Sequence, residues 1–445
     1  MVFKYRLLLI AVLCLAGTAM AQGVRPITAE EAVRIGLEQN DQLRAAVAEA
    51  EQAEAVYRQV RTSRLPAFNT LASYTRLSSN IPEIEFEVPD LPGLEPGTFT
   101  LAPVELNRYY AEISVEQPIF TGFRLRNTIR AAAHQAEAAV QAAEQERVDL
   151  AFAIRQAYWT LYQARALYDV ADLAVRQVEA HLRDVQTRVD AGAALRSDLL
   201  AAQTRRSEVL LERIDAANAV ELARLELNRL AGLPLDTPLL PADTVEIDAL
   251  PGETEALART ALEARPGLGA LDAQVQSLRA TVQATRSSLL PDLALTGRYV
   301  YARPNQYFFV EQDVFRGTWE AGVAMTWRLW DWGRRSQETN EARARLEAAE
   351  ARLESARESV IVDVRRRRLE VLRAVERLAV TEESVETAEE VFRMLTFRYR
   401  EGAALSSEVL DAEVALHQAR AAHARAVAEY AVARAGLTHA LGQIW

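Results

Sequence analysis

The chain has 445 residues, is 50% hydrophobic and carries a formal net charge of −11. This acidity argues against a nucleic-acid-binding protein, because phosphate contacts need a positive surface. The single cysteine, Cys14, lies within the first twenty residues. Removal of that segment would leave no disulfide, thiolate metal site or cysteine nucleophile.

Residues 1–21 have the pattern of a cleavable signal peptide. Lys4 and Arg6 supply the positive region, Leu7–Leu15 the apolar core and Ala19-Met20-Ala21 a small-x-small cleavage site. A membrane anchor is the alternative, but it needs roughly 20 apolar residues and this run is shorter. We therefore expect export. Because no later stretch is apolar enough for a spanning helix, any membrane insertion is expected to use strands.

The remainder of the chain is an internal duplication. Leu65-Pro66 recurs as Leu290-Pro291, and Gly192-Ala193-Ala194-Leu195 recurs as Gly402-Ala403-Ala404-Leu405. This repeat is much longer than a solenoid unit, so each copy should be a large substructure related to the other by approximate symmetry. The first copy carries extra residues within 80–107. The predicted divisions are a first repeat over 22–232, a Pro-rich linker without evident fold over 233–252, and a second repeat over 253–445.

Each repeat is predicted to contain a short helix, two strands, a long helix and a second short helix. The predicted helices cover 30–64, 124–190 and 197–230 in the first repeat, and 255–288, 334–400 and 407–441 in the second. The two long helices lack proline and glycine, and apolar residues recur along them at alternating steps of four and three. This period predicts left-handed coiled packing over roughly 100 Å of helix.

The two strand regions, predicted as β-hairpins over 68–120 and 292–330, alternate apolar and polar residues. One parity carries the residues that we predict to face lipid, namely Tyr109, Ile113, Val115, Trp319, Val323 and Trp327. The opposite parity carries Glu112, Glu116 and Glu320, which are expected to face water and to favour cations. A solvent-exposed surface hairpin is the alternative. Four strands cannot close on themselves, so oligomerisation or an exposed apolar sheet should follow.

Two short turns end the long helices, Ala191-Gly192-Ala193 and Glu401-Gly402-Ala403. A glycine stop followed by a serine N-cap would explain both turns in any pair of antiparallel helices. The five histidines form no metal-binding pattern, and the chain has no phosphate-binding loop. We therefore expect no enzyme activity, cofactor or metal site.

Three local motifs accompany this order of elements. They are Gln117-Pro118-Ile119-Phe120, Leu329-Trp330-Asp331, and Arg398-Tyr399-Arg400-Glu401-Gly402 followed by Glu408-Val409-Leu410-Asp411-Ala412. With the duplication and the signal peptide, they make the chain resemble the TolC-type outer-membrane efflux proteins over essentially its whole mature length.

The resemblance implies a mainly α fold with a small β part. Duplicated long α-hairpins from three chains would form a trimeric periplasmic α-barrel, and four strands per chain would contribute to a 12-stranded outer-membrane β-barrel. The implied function is the outer-membrane exit duct of a tripartite efflux pump or a type I secretion system. Its implied partners are two further copies of the chain, a periplasmic adaptor (membrane fusion) protein, an inner-membrane transporter and outer-membrane lipid, with no nucleic acid.

The resemblance also implies roles for residues near the turns. The turn residues Gly192, Ala193, Gly402 and Ala403 would meet the adaptor. Tyr399, Glu408 and Asp411 match positions of a closed pore constriction, although Ala404 stands where the best-known member has an arginine. Acids are also favoured at any helix start, and Tyr399 equally completes the apolar series of its helix. The alternative function is a secreted or periplasmic coiled-coil spacer or adhesin stalk without a pore, which would not need the Trp-rich strands.

Overall fold

A computed structural model describes residues 25–82, 84–88, 97–102, 104–245, 247, 252–308 and 313–445. The expected signal peptide lies outside these residues. The described chain is mainly helical with a small β part. None of its helices is both long and apolar enough to cross a bilayer.

The elements follow one another in the same order in both repeats, apart from strands β3 and β4, which the first half adds. The first half contains β1 (Arg25–Ile27), α1 (Ala29–Gln39), α2 (Asp41–Thr62), β2 (Ala67–Arg76), β3 (Ile84–Val88), β4 (Gly97–Ala102), β5 (Asn107–Thr121), α3 (Arg124–Asp190) and α4 (Arg196–Leu230). The second half contains β6 (Leu239–Pro241), α5 (Thr254–Ala264), α6 (Pro266–Ser287), β7 (Asp292–Arg303), β8 (Arg316–Thr326), α7 (Arg334–Arg400) and α8 (Ser406–Ala440). The long helices α3 and α7 have the bounds expected from their freedom from proline and glycine.

The first short helix of each repeat, predicted as continuous, is instead two helices. Asn40 has extended backbone, and its Oδ1 accepts the N–H of Gln42 at 2.8 Å, so it ends α1 and caps α2. In the second repeat Pro266 opens α6, and Arg265 before it is extended with ψ of 114°. A residue that precedes proline is steered away from helical geometry, which explains this second break.

The segment 233–252, predicted to lack a fold, contains strand β6. This strand pairs in parallel with β1, so the first described residues are joined to the junction between the repeats. Tyr158 of α3 holds strand β1 next to the residues that follow β6. Its buried hydroxyl donates to the carbonyl of Ile27 at 3.1 Å and accepts the N–H groups of Ala242 and Asp243, each at 3.2 Å.

The four long strands form one antiparallel sheet in the order β2-β5-β7-β8. Both repeats contribute two strands, and β5 of the first repeat pairs with β7 of the second. The predicted hairpin 68–120 therefore consists of β2 and β5 with a separate two-stranded sheet, β3–β4, between them. That insertion accounts for the extra residues of the first copy.

Residue contacts divide the chain into two compact units. One comprises the residues up to Glu49, Val140–Gly269 and Glu354–Trp445, and it contains both turns that end the long helices. Its main core includes Ile154 and Leu227, each no more than 1% exposed. Burying such a side chain contributes about 1.5–3 kcal/mol. The other unit comprises Ala50–Ala139 and Ala270–Leu353, and it contains the four-stranded sheet.

Candidate functional site

The strand register gives the four-stranded sheet two chemically different faces. Five of the six residues predicted to face lipid share one of them: Tyr109, Ile113, Val115, Trp319 and Val323. Tyr299 of β7 shows this directly, because it is paired with Ile113 on one side and with Trp319 on the other. We call this side, which also carries Phe68 and Leu295, the apolar face.

The sixth residue, Trp327, lies just beyond the last residue of β8. Its indole Nε1 donates to the carbonyl of Leu289 at 3.2 Å, which places it at the end of the sheet.

The apolar face is open in the single chain. Trp319 is 78% exposed, Val323 67% and Ile113 58%. Apolar side chains exposed in a contiguous patch of this kind mark a surface that contacts lipid or another protein.

Aromatic side chains lie at both ends of this face. At one end the ring of Tyr109 lies 5.0 Å from that of Tyr74 and 5.7 Å from that of Phe315. Past the other end of β8, the exposed rings of Trp330 and Trp332 meet edge to face at 5.7 Å. An apolar band with aromatic residues at both ends is characteristic of strands that cross a bilayer.

The opposite side of the sheet, which we call the polar face, carries the three predicted acids. Glu116 is exposed, whereas Glu112 and Glu320 form ion pairs with Arg298 of β7. The sequence analysis did not identify Arg298. Its position could have been predicted, because alternate residues of β7 point to opposite faces and Arg298 is one residue from Tyr299 of the apolar face.

The two helix-ending turns share one backbone geometry. In the first, the N–H of Ala193 donates to the carbonyl of Arg188 at 2.7 Å, and Gly192 has φ of +73°. In the second, Ala403 donates to Arg398 at 2.8 Å, and Gly402 has φ of +75°. This is the Schellman motif, which glycine favours because a left-handed residue with a Cβ is strained.

The helix after each turn is capped differently from the prediction. The N-cap residues are Leu195 and Leu405, not the serines, which lie inside the first turn of α4 and α8. The acid three residues beyond the N-cap makes a different capping contact, because its carboxylate accepts the backbone N–H of the N-cap residue. Asp198 accepts the N–H of Leu195 at 3.3 Å, and Glu408 accepts that of Leu405 at 2.7 Å. A carboxylate here also interacts favourably with the helix dipole.

The three residues expected at a constriction are not equivalent in the structure. Glu408 is exposed and engaged in the cap, and Asp411 is exposed one turn further along α8. Tyr399, by contrast, is buried in a small apolar cluster with Val185 and Val409. The Tyr399 side chain therefore packs against α3 and α8 within one chain.

Two side chains of α3 hold the Tyr399 ring. The guanidinium carbon of Arg188 lies 4.7 Å from the ring centroid, and Arg188 also donates to the carbonyl of Arg400 at 2.8 Å. The His181 ring lies 5.3 Å away and bonds the hydroxyl of Ser406 at 3.0 Å. Burial lowers the pKa of His181, which favours the neutral imidazole next to this cluster.

Glu413 of α8 is a further titratable group that the sequence analysis missed. It is 1% exposed, and both carboxylate oxygens are buried without a hydrogen bond. Burial raises its pKa to about 7, while the positive charge of Arg205 on α4 acts in the opposite direction. The sequence does indicate this burial, because Glu413 lies on the same side of α8 as the apolar residues Val409, Ala412 and Leu416.

Among the described residues, no group of three or more His, Asp or Glu side chains is arranged to hold a metal ion.

The chain is similar to proteins named for efflux and secretion and to a solved outer membrane channel. AprF of Pseudomonas aeruginosa, an alkaline protease secretion protein, is 23% identical over 339 residues, which are 75% of this chain and 69% of AprF. The outer membrane efflux protein BepC of Brucella suis is 27% identical over 185 residues, which are 41% of this chain and only 40% of BepC. The fold is that of the CmeC outer membrane channel of Campylobacter jejuni, with a TM-score of 0.77 at 20% identity over 93% of this chain and 85% of CmeC.

The family assignment rests on a match that extends through both repeats. The model of the outer membrane efflux protein family matches residues 33–233 and 257–443. Family and fold are both those of channel proteins located in the outer membrane. The chain belongs to the outer membrane efflux protein family.

Proposed function

We propose that the protein is a passive exit duct, through which substrates delivered by an inner-membrane transporter and a periplasmic adaptor leave the cell. The observation that carries this proposal is the two-faced sheet. Its apolar face suits lipid and its polar face suits a water-filled passage, while none of the described helices is long and apolar enough to cross a membrane. The names of BepC and AprF describe efflux and secretion respectively, so either a tripartite pump or a type I secretion system is an appropriate setting.

We propose a homotrimer, because a ring of copies would cover the free edges of the sheet. Strands β2 and β8 are its outer strands, and every residue of β2 is exposed. An uncovered edge strand presents unpaired backbone groups, which are costly in lipid. Pairing of β2 in one copy with β8 in the next would satisfy both edges, and head-to-tail contacts of this kind close into a ring under threefold rotation.

The two turns are the proposed docking surface for the adaptor. Gly192, Ala193, Gly402 and Ala403 are all exposed and carry little or no side chain. Their small size leaves the backbone of both turns accessible to a partner. A constriction formed by Glu408 and Asp411, with Tyr399 packed behind it, is proposed for the same end of the molecule.

Purification in mild detergent and reconstitution into planar bilayers test the duct directly. We expect a trimeric mass and discrete conductance steps. A soluble dimer or monomer without conductance would instead support the spacer or stalk.

A matched pair of variants tests the assignment of the two faces. Val323→Arg places a charge on the apolar face and should cost about 2–4 kcal/mol of insertion free energy near the membrane centre. Gly322→Arg is the control, because a side chain at this position would lie on the polar face. A Cβ there would meet no atom closer than 3.9 Å, so the substitution itself is sterically tolerated. Membrane fractionation should show insertion of the second variant alone. The reverse result would show that lipid contacts the other face.

The proposed constriction is tested by divalent-cation block. Glu408→Gln with Asp411→Asn should weaken block from the periplasmic side, because clustered carboxylates attract divalent ions. Asp198→Asn neutralises the equivalent capping acid of the first repeat and should leave block unchanged. Equal block in wild type and the double variant would assign the two acids to helix capping alone.

A further inference from the structure

Arg298 occupies the centre of the polar face. It lies on β7, directly opposite Glu320 of β8 and two residues along the strand from Val300, which is opposite Glu112 of β5. Its Nε lies 3.3 Å from Oε1 of Glu320 and 3.5 Å from Oε1 of Glu112. One guanidinium therefore links two carboxylates across three adjacent strands.

Two tyrosines complete this cluster. The hydroxyl of Tyr110 donates to Glu112, and that of Tyr307 donates to Oε2 of Glu320 at 3.0 Å. Each carboxylate thus has a tyrosine partner in addition to Arg298, which restricts the positions that it can adopt. Hydrogen bonds to an ionised carboxylate are stronger than hydrogen bonds between neutral groups.

The cluster remains accessible to water. The side chains of Arg298 and Glu320 are 46% and 52% exposed. Two carboxylates and one guanidinium leave a net charge of −1 at this level of the sheet. Removal of the guanidinium would double that negative charge and leave the carboxylates without their shared counter-ion.

We infer that Arg298 is a selectivity-determining residue of the duct, which limits its preference for cations by neutralising half of the carboxylate charge of this cluster. The inference rests on the proposed function, because it requires the polar face to line the passage. In a trimer, three copies of the cluster would surround that passage at one height. Rings of charged side chains set which ions pass, and this ring combines both signs.

This role differs from that of a cross-strand pair that only stabilises the sheet. Such pairs contribute about 0.2–1 kcal/mol to stability and would leave permeation unchanged. Arg303 provides a matched control on the same strand. It lies on the apolar face and pairs with Asp313, away from the polar face.

The experiment compares reversal potentials in planar bilayers under a KCl gradient. Arg298→Gln should shift the reversal potential toward the potassium equilibrium value, with a severalfold rise in the permeability ratio of potassium to chloride. Glu112→Gln with Glu320→Gln should shift it in the opposite direction, because three guanidinium groups would remain. Arg303→Gln should match wild type. Both shifts should shrink as salt is raised, since mobile ions screen the ring.

Each outcome decides between the inference and its alternatives. Conducting Arg298→Gln trimers with the wild-type reversal potential would overturn the role of Arg298. If Arg298→Gln does not assemble, the double glutamine variant decides, because an unchanged reversal potential there overturns the inference and a shift toward chloride supports it. Wild-type trimers that do not conduct at all would instead contradict the proposed duct.

Discussion

The two helix-ending turns have the same backbone but different surroundings. Both have glycine in the left-handed region, a leucine N-cap and an acid at the third helical position. Beyond the turns the repeats diverge. Helix α4 has five buried residues over its 35, whereas α8 has sixteen over the same length. Duplication has therefore retained the residues that set backbone geometry, while the side-chain packing within one chain differs between the repeats.

The divergence is clearest at two pairs of equivalent positions. Tyr399 stands where the first repeat has Val189, and buried Glu413 stands where it has exposed Gln203. Local backbone geometry should therefore respond equally to substitution at both turns, whereas substitution of packed side chains should matter more around the second turn than around the first.

The largest effect is expected from Tyr399→Ala. Loss of this buried ring should destabilise the compact unit that contains the two turns by about 3 kcal/mol, because it removes apolar contacts and leaves a cavity. Tyr399→Phe should have little effect, since the buried hydroxyl makes no hydrogen bond of standard geometry. Denaturant unfolding followed by circular dichroism measures both. Val189→Ala is the comparison from the first repeat, and an equal loss there would contradict the difference in packing.

Glu413→Gln should stabilise the protein in a pH-dependent manner. The pKa of Glu413 is raised from 4.5 to about 7 in the folded protein, so the fold binds this proton more tightly than the unfolded chain does. Wild type should therefore lose stability as pH rises through this interval, and the loss should be complete above it. At pH 8 the glutamine variant should be more stable by on the order of 2 kcal/mol.

Thermal unfolding at pH 4 and pH 8 tests this effect. At pH 4 the two proteins should have similar midpoints, because the carboxyl is protonated in both states. Gln203→Glu introduces the same acid at the exposed equivalent position and should leave the midpoint unchanged at either pH. A pH-independent difference between wild type and Glu413→Gln would show that ionisation of Glu413 is not its cause.

Substitution of the turn glycines should affect the two repeats equally. Gly192→Ala and Gly402→Ala should each cost about 1 kcal/mol, because alanine is strained at positive φ. A Cβ at either position would meet no atom within 4 Å, so the cost arises from the backbone alone. Denaturant midpoints of the two single variants measure this comparison. A clear difference between them would indicate that surroundings also control the turns.

The smallest effect is expected at the capping acids. Asp198→Ala and Glu408→Ala should each destabilise the start of their helix by about 0.5 kcal/mol, through loss of one hydrogen bond and one favourable charge. Amide hydrogen exchange in the first turn of α4 and α8 is the sensitive measurement. Unchanged exchange in both variants would show that the carboxylates do not act as caps in solution.

Features that depend on neighbouring residues in the chain could be predicted from the amino-acid sequence. Absence of proline and glycine marked both long helices, glycines 192 and 402 marked the turns, and alternation separated Ile113 from Glu112. These features are readable because helix, turn and strand preferences act over a few residues. The cap at Asn40 and the helix break at Arg265–Pro266 are also local features. Both could have been predicted from the sequence, although the first short helix of each repeat was predicted as continuous.

Tertiary structure alone decided which distant segments meet. The pairing of β1 with β6, the joining of both repeats in one sheet, and the link from Arg298 to two carboxylates each join residues far apart in the chain. The burial of Glu413 likewise depends on helices packed around α8. Periodicity tells which side of an element is apolar, but only the folded chain determines what covers that side and which charges it brings together.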